Sequence, residues 1–266
     1  MPIALPQLNR APSCAYPAAE PPVSVRMTEL PGRACPYLPD RVMTIRAFAA
    51  GRIEPSLYHA FMDAGFRRNG RIFYQPICRG CRQCLPLRVP TDRFAPSRSQ
   101  RRSAERNRDV KIQFGPPKFT DEKYDLCERY LRLRHGRDAV ESRESMEEFW
   151  LISPVTTLEF TYRDGSGRLL AIGICDMCPE SLSSVYFYYD PAEAARGLGT
   201  FGAMVELDFA AARGIPYYYL GYWIRQCGAM QYKSRFRPCE VMCPDGVWRA
   251  PDDADAIADE TPEGLP

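Results

Sequence analysis

SVYFYYDPAEAARGLGTFGAMVELDFAAARGIPYYYLGYWIRQCGAMQYKSRF, residues Ser184 to Phe236, is the stretch on which the fold turns. Val185 to Tyr189 is a short aromatic and β-branched run closed by Asp190-Pro191, the pattern of a buried strand ending at a turn. Phe201 to Ala212 is apolar almost all round, with Glu206 and Asp208 its only charges, so it reads as a buried helix stopped by Gly214. A second aromatic strand, Tyr217 to Trp223, follows within a few residues. Strand, glycine loop, helix and strand in that order build a parallel βαβ unit.

The loop between strand and helix is Arg196-Gly197-Leu198-Gly199-Thr200. Glycines before a helix let the backbone approach an anion, and the free N–H groups of the first helical turn then point at it. The loop is either a phosphate cradle or a purely structural βα turn. Its Arg-Gly-x-Gly-Thr pattern resembles the acyl-CoA loop of the GNAT acyltransferase superfamily.

Moving toward the N-terminus, Ser183 begins the strand already described, and Asp176 follows the strand Leu169 to Cys175. That strand and Thr156 to Tyr162 form a hairpin about Asp164-Gly165-Ser166-Gly167. Asp121 to Arg134 and Ser145 to Leu151 carry apolar residues at helical spacing. Helices, an antiparallel meander and then the βαβ unit are the GNAT order of elements, so the fold class expected is α/β (α+β). The first half, with strands at Arg41 to Phe48, Arg71 to Gln75, Leu85 to Phe94 and Val110 to Phe114, is expected to be a degenerate copy of the same plan.

Composition narrows the functional classes. The 266 residues are 45% hydrophobic and 26% charged, with a net charge of only +2. That balance hides an asymmetry: thirteen basic residues against three acidic ones from Arg67 to Lys111, and six acids with no base from Pro251 to Pro266. A basic block calls for a polyanionic partner, and an acidic tail is expected to be solvated and disordered. Residues 1 to 24 hold six prolines and no apolar run of signal-peptide length, and no spanning segment is apparent, so a cytoplasmic protein without a membrane partner is expected. The expected organisation is a flexible Pro-rich leader over 1–34, a basic cysteine-containing domain over 35–118, a GNAT-like transferase domain over 119–248 and a disordered acidic tail over 249–266.

Two clusters in the basic block carry chemistry. Cys78, Cys81 and Cys84 have the spacing at which adjacent thiolates share one zinc ion or an iron–sulfur cluster, with Cys35 as a possible fourth ligand; without a metal they are a turn that holds thiols. Pro96 to Asn107 opens a helix capped by Ser97 or Ser99, on which Arg98, Arg101 and Arg102 either face solvent or hold phosphates.

The separated motifs Phe66-Arg67-Arg68-Asn69-Gly70, Tyr74-x-Pro76-x-Cys78-x-x-Cys81-x-x-Cys84, Phe94-x-Pro96-Ser97-Arg98-Ser99-Gln100-Arg101-Arg102, Gly197-Leu198-Gly199-Thr200, Tyr219-Leu220-Gly221-Tyr222-Trp223 and Met230-x-Tyr232-Lys233-x-x-Phe236 together resemble the bacterial aspartate/glutamate leucyltransferases, relatives of the eukaryotic arginyl-tRNA–protein transferases. The resemblance covers roughly Cys35 to Trp248. It implies transfer of leucine from leucyl-tRNA to the α-amine of proteins or peptides beginning with Asp or Glu, marking them for degradation. One departure is at Cys35-Pro36-Tyr37-Leu38, where the eukaryotic relatives are expected to carry a second cysteine.

An amine attacking an activated ester needs positioning, proton removal and oxyanion stabilisation, and no cofactor is required for it. On that reading Asp176 orients or deprotonates the amine. Arg196 to Thr200, Tyr222 and Lys233 meet the acceptor end of the tRNA, and Arg98, Arg101 and Arg102 its phosphates. Arg67, Arg68, Arg98 or Arg101 could clamp the acidic N-terminal residue, Arg67 and Arg68 being the candidates chosen, and these arginines could equally contact tRNA phosphates. The alternatives are an arginyl donor, an acyl-CoA-dependent N-acetyltransferase and an RNA-binding zinc protein.

Overall fold

A computed structural model describes residues 26–136 and 142–253. Expectations for 1–25 and for 254–266 lie outside the described residues. Four strands, β1 (Thr28–Ala34), β2 (Val42–Ala49), β3 (Arg67–Asn69) and β4 (Ile72–Pro76), form a small antiparallel sheet in the order β1-β2-β4-β3, with helix α1 (Pro55–Asp63) between β2 and β3. Ordered chain therefore begins before Cys35. Strand β1 contains Pro31 and Gly32, which read as breakers, but it is an exposed edge strand with an irregular register at Leu30/Arg33, where missing ladder bonds are tolerated.

The second sheet has eight strands: β5 (Leu85–Pro90), β6 (Lys111–Gly115), β7 (Thr157–Arg163), β8 (Leu169–Met177), β9 (Ser181–Tyr189), β10 (Tyr217–Trp223), β11 (Glu240–Met242) and β12 (Trp248–Arg249), ordered β12-β11-β5-β10-β9-β8-β7-β6. Residues 35–118 thus do not form a unit of their own. Strands β5 and β6 belong to the large sheet, β5 beside β10 and β6 beside β7. Every pairing in the small sheet is antiparallel, so the first half does not repeat the parallel plan of the second. The meander β6 to β9 followed by β9, a buried helix and parallel β10 is the GNAT-like core.

Helix α2 (Arg98–Arg106) starts at a capping box in which the Ser97 hydroxyl accepts from the Gln100 amide and the Gln100 side chain accepts from the Ser97 amide, an arrangement worth about 1 kcal/mol. Helices α3 (Asp121–His135) and α4 (Arg143–Leu151) pack through Leu126, Cys127, Leu131, Met146 and Trp150 on one face of β8. Helix α5 (Leu198–Ala211) covers the other face and is buried nearly all round, through Phe201, Val205 and Phe209 among others. It lies so close to β9 that a Cβ at Gly202 would land inside the Phe187 ring. A four-residue helix, α6 (Gly228–Gln231), and a 3-10 turn, Tyr232–Arg235, follow β10. Among the described residues no helix is long and apolar enough to cross a membrane.

Candidate active site

The parallel strands β9 and β10 stay together for three residue pairs, ending at Tyr219 and Ser183, and then part. Beyond that point β9 continues against β8 and β10 against β5, where a bulge falls between Tyr219 and Gly221. Gly221 has φ +82°, a conformation that side chains resist, and the bulge reverses which residues of β10 face which way. Tyr218 and Leu220 pack in the α5 core, and so does Trp223, leaving Tyr222 turned toward the small sheet, where its hydroxyl donates to the Gly65 carbonyl at 2.8 Å.

Arg67 enters this opening from β3. Its Nη1 donates to Ser183 Oγ at 3.0 Å and its Nη2 to the Ser184 carbonyl at 2.7 Å, and its guanidinium lies over Gly221, 3.3 Å from where a Cβ would stand. Lys233 reaches the same opening from the 3-10 turn and donates from Nζ to the Tyr222 carbonyl at 2.7 Å. Neither cation has an acidic partner within ion-pair distance among the described residues. Burial, with Arg67 adding to it, pushes the Lys233 ammonium down to about 7. The Tyr74 and Tyr222 phenols and the Cys84 thiol are close enough to share in these fields, and burial raises the pKa of all three, Cys84 to about 12. Two cations without counterions in a low-dielectric crevice make a seat for an anion.

The neighbouring Arg68 points the other way along the pleat and has a different fate. It forms a bidentate pair with Asp176, both distances 2.7 Å, and its side chain is only 3% exposed. Tyr58 and Thr157 donate to the same carboxylate, at 2.8 and 2.7 Å. Asp176, fully buried with four donors, joins the two sheets and is not open to a substrate amine; Arg68, held by it, is not open to an acidic residue. Both expected roles give way to a structural one, because opposite charges out of water must pair.

The glycine loop also differs from expectation. Gly197 (φ +69°) is the N-cap, so Leu198, Gly199 and Thr200 are the first turn of α5 rather than a loop before it. The Leu198 side chain is buried, no side chain caps the turn, and space beside Gly199 is open. Arg196 is not free for a phosphate: it makes bonds of 2.8 and 3.0 Å to Asp109, which hold that carboxylate below its usual range, and of 2.9 Å to Glu193, which Arg168 chiefly and Arg196 in addition hold below its own. What adjoins the α5 N-terminus is α2, whose Ser103 and Asn107 donate to the Gly197 and Arg196 carbonyls. Arg98, Arg102 and Arg106, four residues apart, with Arg101, are exposed on α2 and make no ion pair among the described residues.

Cys84 senses Cys78, Cys81 and Cys35, so the four thiols share a corner. Among the described residues, however, no three His, Cys, Asp or Glu side chains converge as a metal would need, and the Cys78 thiol donates instead to the Thr44 carbonyl. As arranged, the triplet is not a ligand set for zinc or an iron–sulfur cluster.

Two polar groups escaped the sequence reading. Glu206, fully buried on α5, accepts from the Tyr218 hydroxyl, and burial raises its pKa to about 7. An acid on an otherwise apolar helix is the signal the sequence offers for it, though Asp208 two residues on shares that signal. Asp63 joins His59, Tyr219 and Arg88, and the Arg88 guanidinium is stacked 4.0 Å from both the Tyr217 and Trp248 rings. Partners so distant in sequence give no local signal.

A GNAT-like sheet whose strands part at two cations without counterions among the described residues has the arrangement of an acyl-transferring enzyme. Residues 33–102 match the family profile described as Arginine-tRNA-protein transferase, N terminus, and residues 122–243 its C terminus. Aspartate/glutamate leucyltransferases of Hahella chejuensis (37% identity over 218 residues, 81% of this chain and 93% of that one) and Nitrosococcus oceani (38% over 214 residues, 79% and 90%) are among its relatives. The chain belongs to the arginine-tRNA-protein transferase family and is an aminoacyltransferase. Similarity to the solved L-PGS of Bacillus licheniformis, with TM-score 0.46 and 14% identity over 77% of this chain and 65% of that one, is too weak to add to the strand order.

Proposed function

We propose that this enzyme transfers leucine from leucyl-tRNA to the α-amine of proteins beginning with Asp or Glu, in the cytoplasm and as a mark for degradation. The observation that carries the acceptor half is the pair of cations without counterions, Arg67 and Lys233, at the parting of β9 and β10. The carboxylate of the first residue would sit against them, which leaves its α-amine beside the crevice. The exposed arginines of α2, a helix packed beside the uncapped first turn of α5, would meet the phosphates of the tRNA acceptor end. The names of the relatives support leucine as donor.

The reaction is aminolysis of an ester. The amine nitrogen bonds to the carbonyl carbon, the bond to the ribose oxygen breaks, and the proton the amine loses is matched by one the ribose hydroxyl gains. An α-amine has a pKa of about 8, so it needs little base assistance near neutrality. The protein contributes chiefly alignment of two substrates. Because the ester is already activated, the cysteine corner is assigned no step.

The test is transfer of labelled leucine or arginine from charged tRNA to peptides beginning with Asp, Glu or Ala. Leucine should pass to the Asp and Glu peptides and not to Ala. Arginine in preference to leucine would move the enzyme to the other donor class, and equal use of the Ala peptide would remove the anion seat from the mechanism.

A further inference from the structure

A cavity of about 320 Å³ opens where α1 ends against β5 and the turn between β11 and β12. Its open wall mixes polar groups, Asp63, Gln75 and Arg82 among them, with an apolar side formed by Ala64, Pro86, Met242 and Pro244. Cys84 lines it too, and since Cys84 and Lys233 feel one another's charge, cavity and anion seat are neighbours across that thiol. Burial keeps the thiol protonated and hence uncharged at neutral pH.

Asp63 supplies the one carboxylate in this wall. Its Oδ1 accepts from the Tyr219 hydroxyl and from Arg88 at 3.1 Å, whereas Oδ2 has only His59 Nε2 at 3.6 Å. Its side chain is 37% exposed, so Oδ2 can receive a further donor. The other charged group of the lining, Arg82, lies exposed on the loop before β5.

We propose that this cavity receives the aminoacyl group of the donor, with its aliphatic side chain against Met242, Pro86 and Pro244 and its α-ammonium on Asp63. The proposal rests on the function proposed above and assigns the second substrate a place within it. The volume lies at the small end of ligand pockets, enough for one amino-acid residue. The chemistry separates the two substrates: an acidic acceptor residue would be repelled by Asp63 and is drawn to Arg67 and Lys233, whereas an α-ammonium on an aliphatic residue is drawn to Asp63 and repelled by the two cations. The cavity and the crevice then hold the two reacting groups on either side of Cys84.

Two measurements test it. The first uses leucine methyl ester as probe and the methyl resonances of the methionines as readout, Met242 being assigned by its loss in Met242→Leu. The ester should shift the Met242 signal saturably, and its N-acetyl derivative, which lacks the ammonium, should not. No shift at tens of millimolar, or an equal shift with the acetylated ester, overturns the proposal whether or not the enzyme transfers leucine.

The second is transfer itself. Met242→Trp, folded by its melting curve, should lower kcat/KM for leucyl-tRNA by about tenfold or more, the scale on which apolar pockets discriminate, with the acceptor KM unchanged. Met242→Ala should raise the use of phenylalanyl-tRNA relative to leucyl-tRNA. Wild-type transfer of leucine with both variants unchanged would sink the cavity assignment alone, whereas absence of transfer by the wild type would sink the proposed function.

Discussion

Arg67 and Arg68 are adjacent on one short strand and lie in two different electrostatic worlds. The pleat of β3 sends Arg68 into a closed junction where Asp176 accepts from two of its nitrogens, the Gly70 carbonyl from the third, and Tyr58 and Thr157 complete the carboxylate. It sends Arg67 into the opening between β9 and β10, where serine oxygens and no carboxylate meet it and Lys233 stands nearby. A polar cluster whose charges cancel internally holds structure together; one with surplus charge is completed by a ligand.

The largest contrast should come from truncating each arginine. Arg68→Ala leaves the Asp176 carboxylate buried without its cation and should cost about 3–5 kcal/mol of stability, read from the urea midpoint. Arg67→Ala should change stability by about 1 kcal/mol or less, since it removes two hydrogen bonds and relieves repulsion with Lys233, while kcat/KM for an Asp-peptide falls by about 30-fold or more. Equal destabilisation by both variants would break the comparison.

Lys233 sharpens the same comparison through pH. An unfolded lysine titrates near 10.4 and the buried one at about 7, so between those values the unfolded chain holds a proton that the native one has released. Stability is therefore undiminished by this group above the unfolded pKa and is lost as pH falls from there to about 7. Lys233→Met should remove that slope from a series of urea titrations. In activity, kcat/KM for the Asp-peptide should carry a descending limb above about pH 7 as the free enzyme loses this cation, and Lys233→Arg should move the limb to higher pH. A limb unmoved by the arginine substitution would detach Lys233 from the anion seat.

The smallest effect is expected where the cations are exposed. Arg98→Ala, Arg101→Ala and Arg102→Ala combined should flatten the dependence of tRNA affinity on log salt by about 0.7–0.9 for each phosphate no longer neutralised, with little change in the melting temperature. An unaltered slope would make the arginine face of α2 mere solvated surface.

The βαβ unit was legible because its signals are local: aromatic runs, an apolar helix and Gly214 as a stop. Gly221, an isolated glycine within a strand, is a local mark of the bulge that turns Tyr222, but the run Tyr217 to Trp223 reads as a plain strand without it. What could not be read is what depends on partners far away in the chain. Strand β5 is recognisable from Leu85 to Pro90, but its place between β10 and β11 is set by residues more than a hundred positions later. The Arg67-Arg68 pair shows the same limit: alternation along a strand dictates that the two diverge, and only the packed sheets decide which of them meets Asp176. Arg196 was misread for a related reason, since the acid that takes it, Asp109, follows α2, eighty-seven residues earlier.

The approach of Gly202 to Phe187 bears on where the N-terminus of α5 sits. With no methyl group between helix and strand, α5 lies directly on β9, and its uncapped first turn, four residues earlier, is held down at the level of the crevice. An alanine there would act as a shim under the helix. It would lift Gly199 and Thr200 away from the sheet, so the height of the α5 N-terminus above the sheet is gauged by one hydrogen atom in the interior.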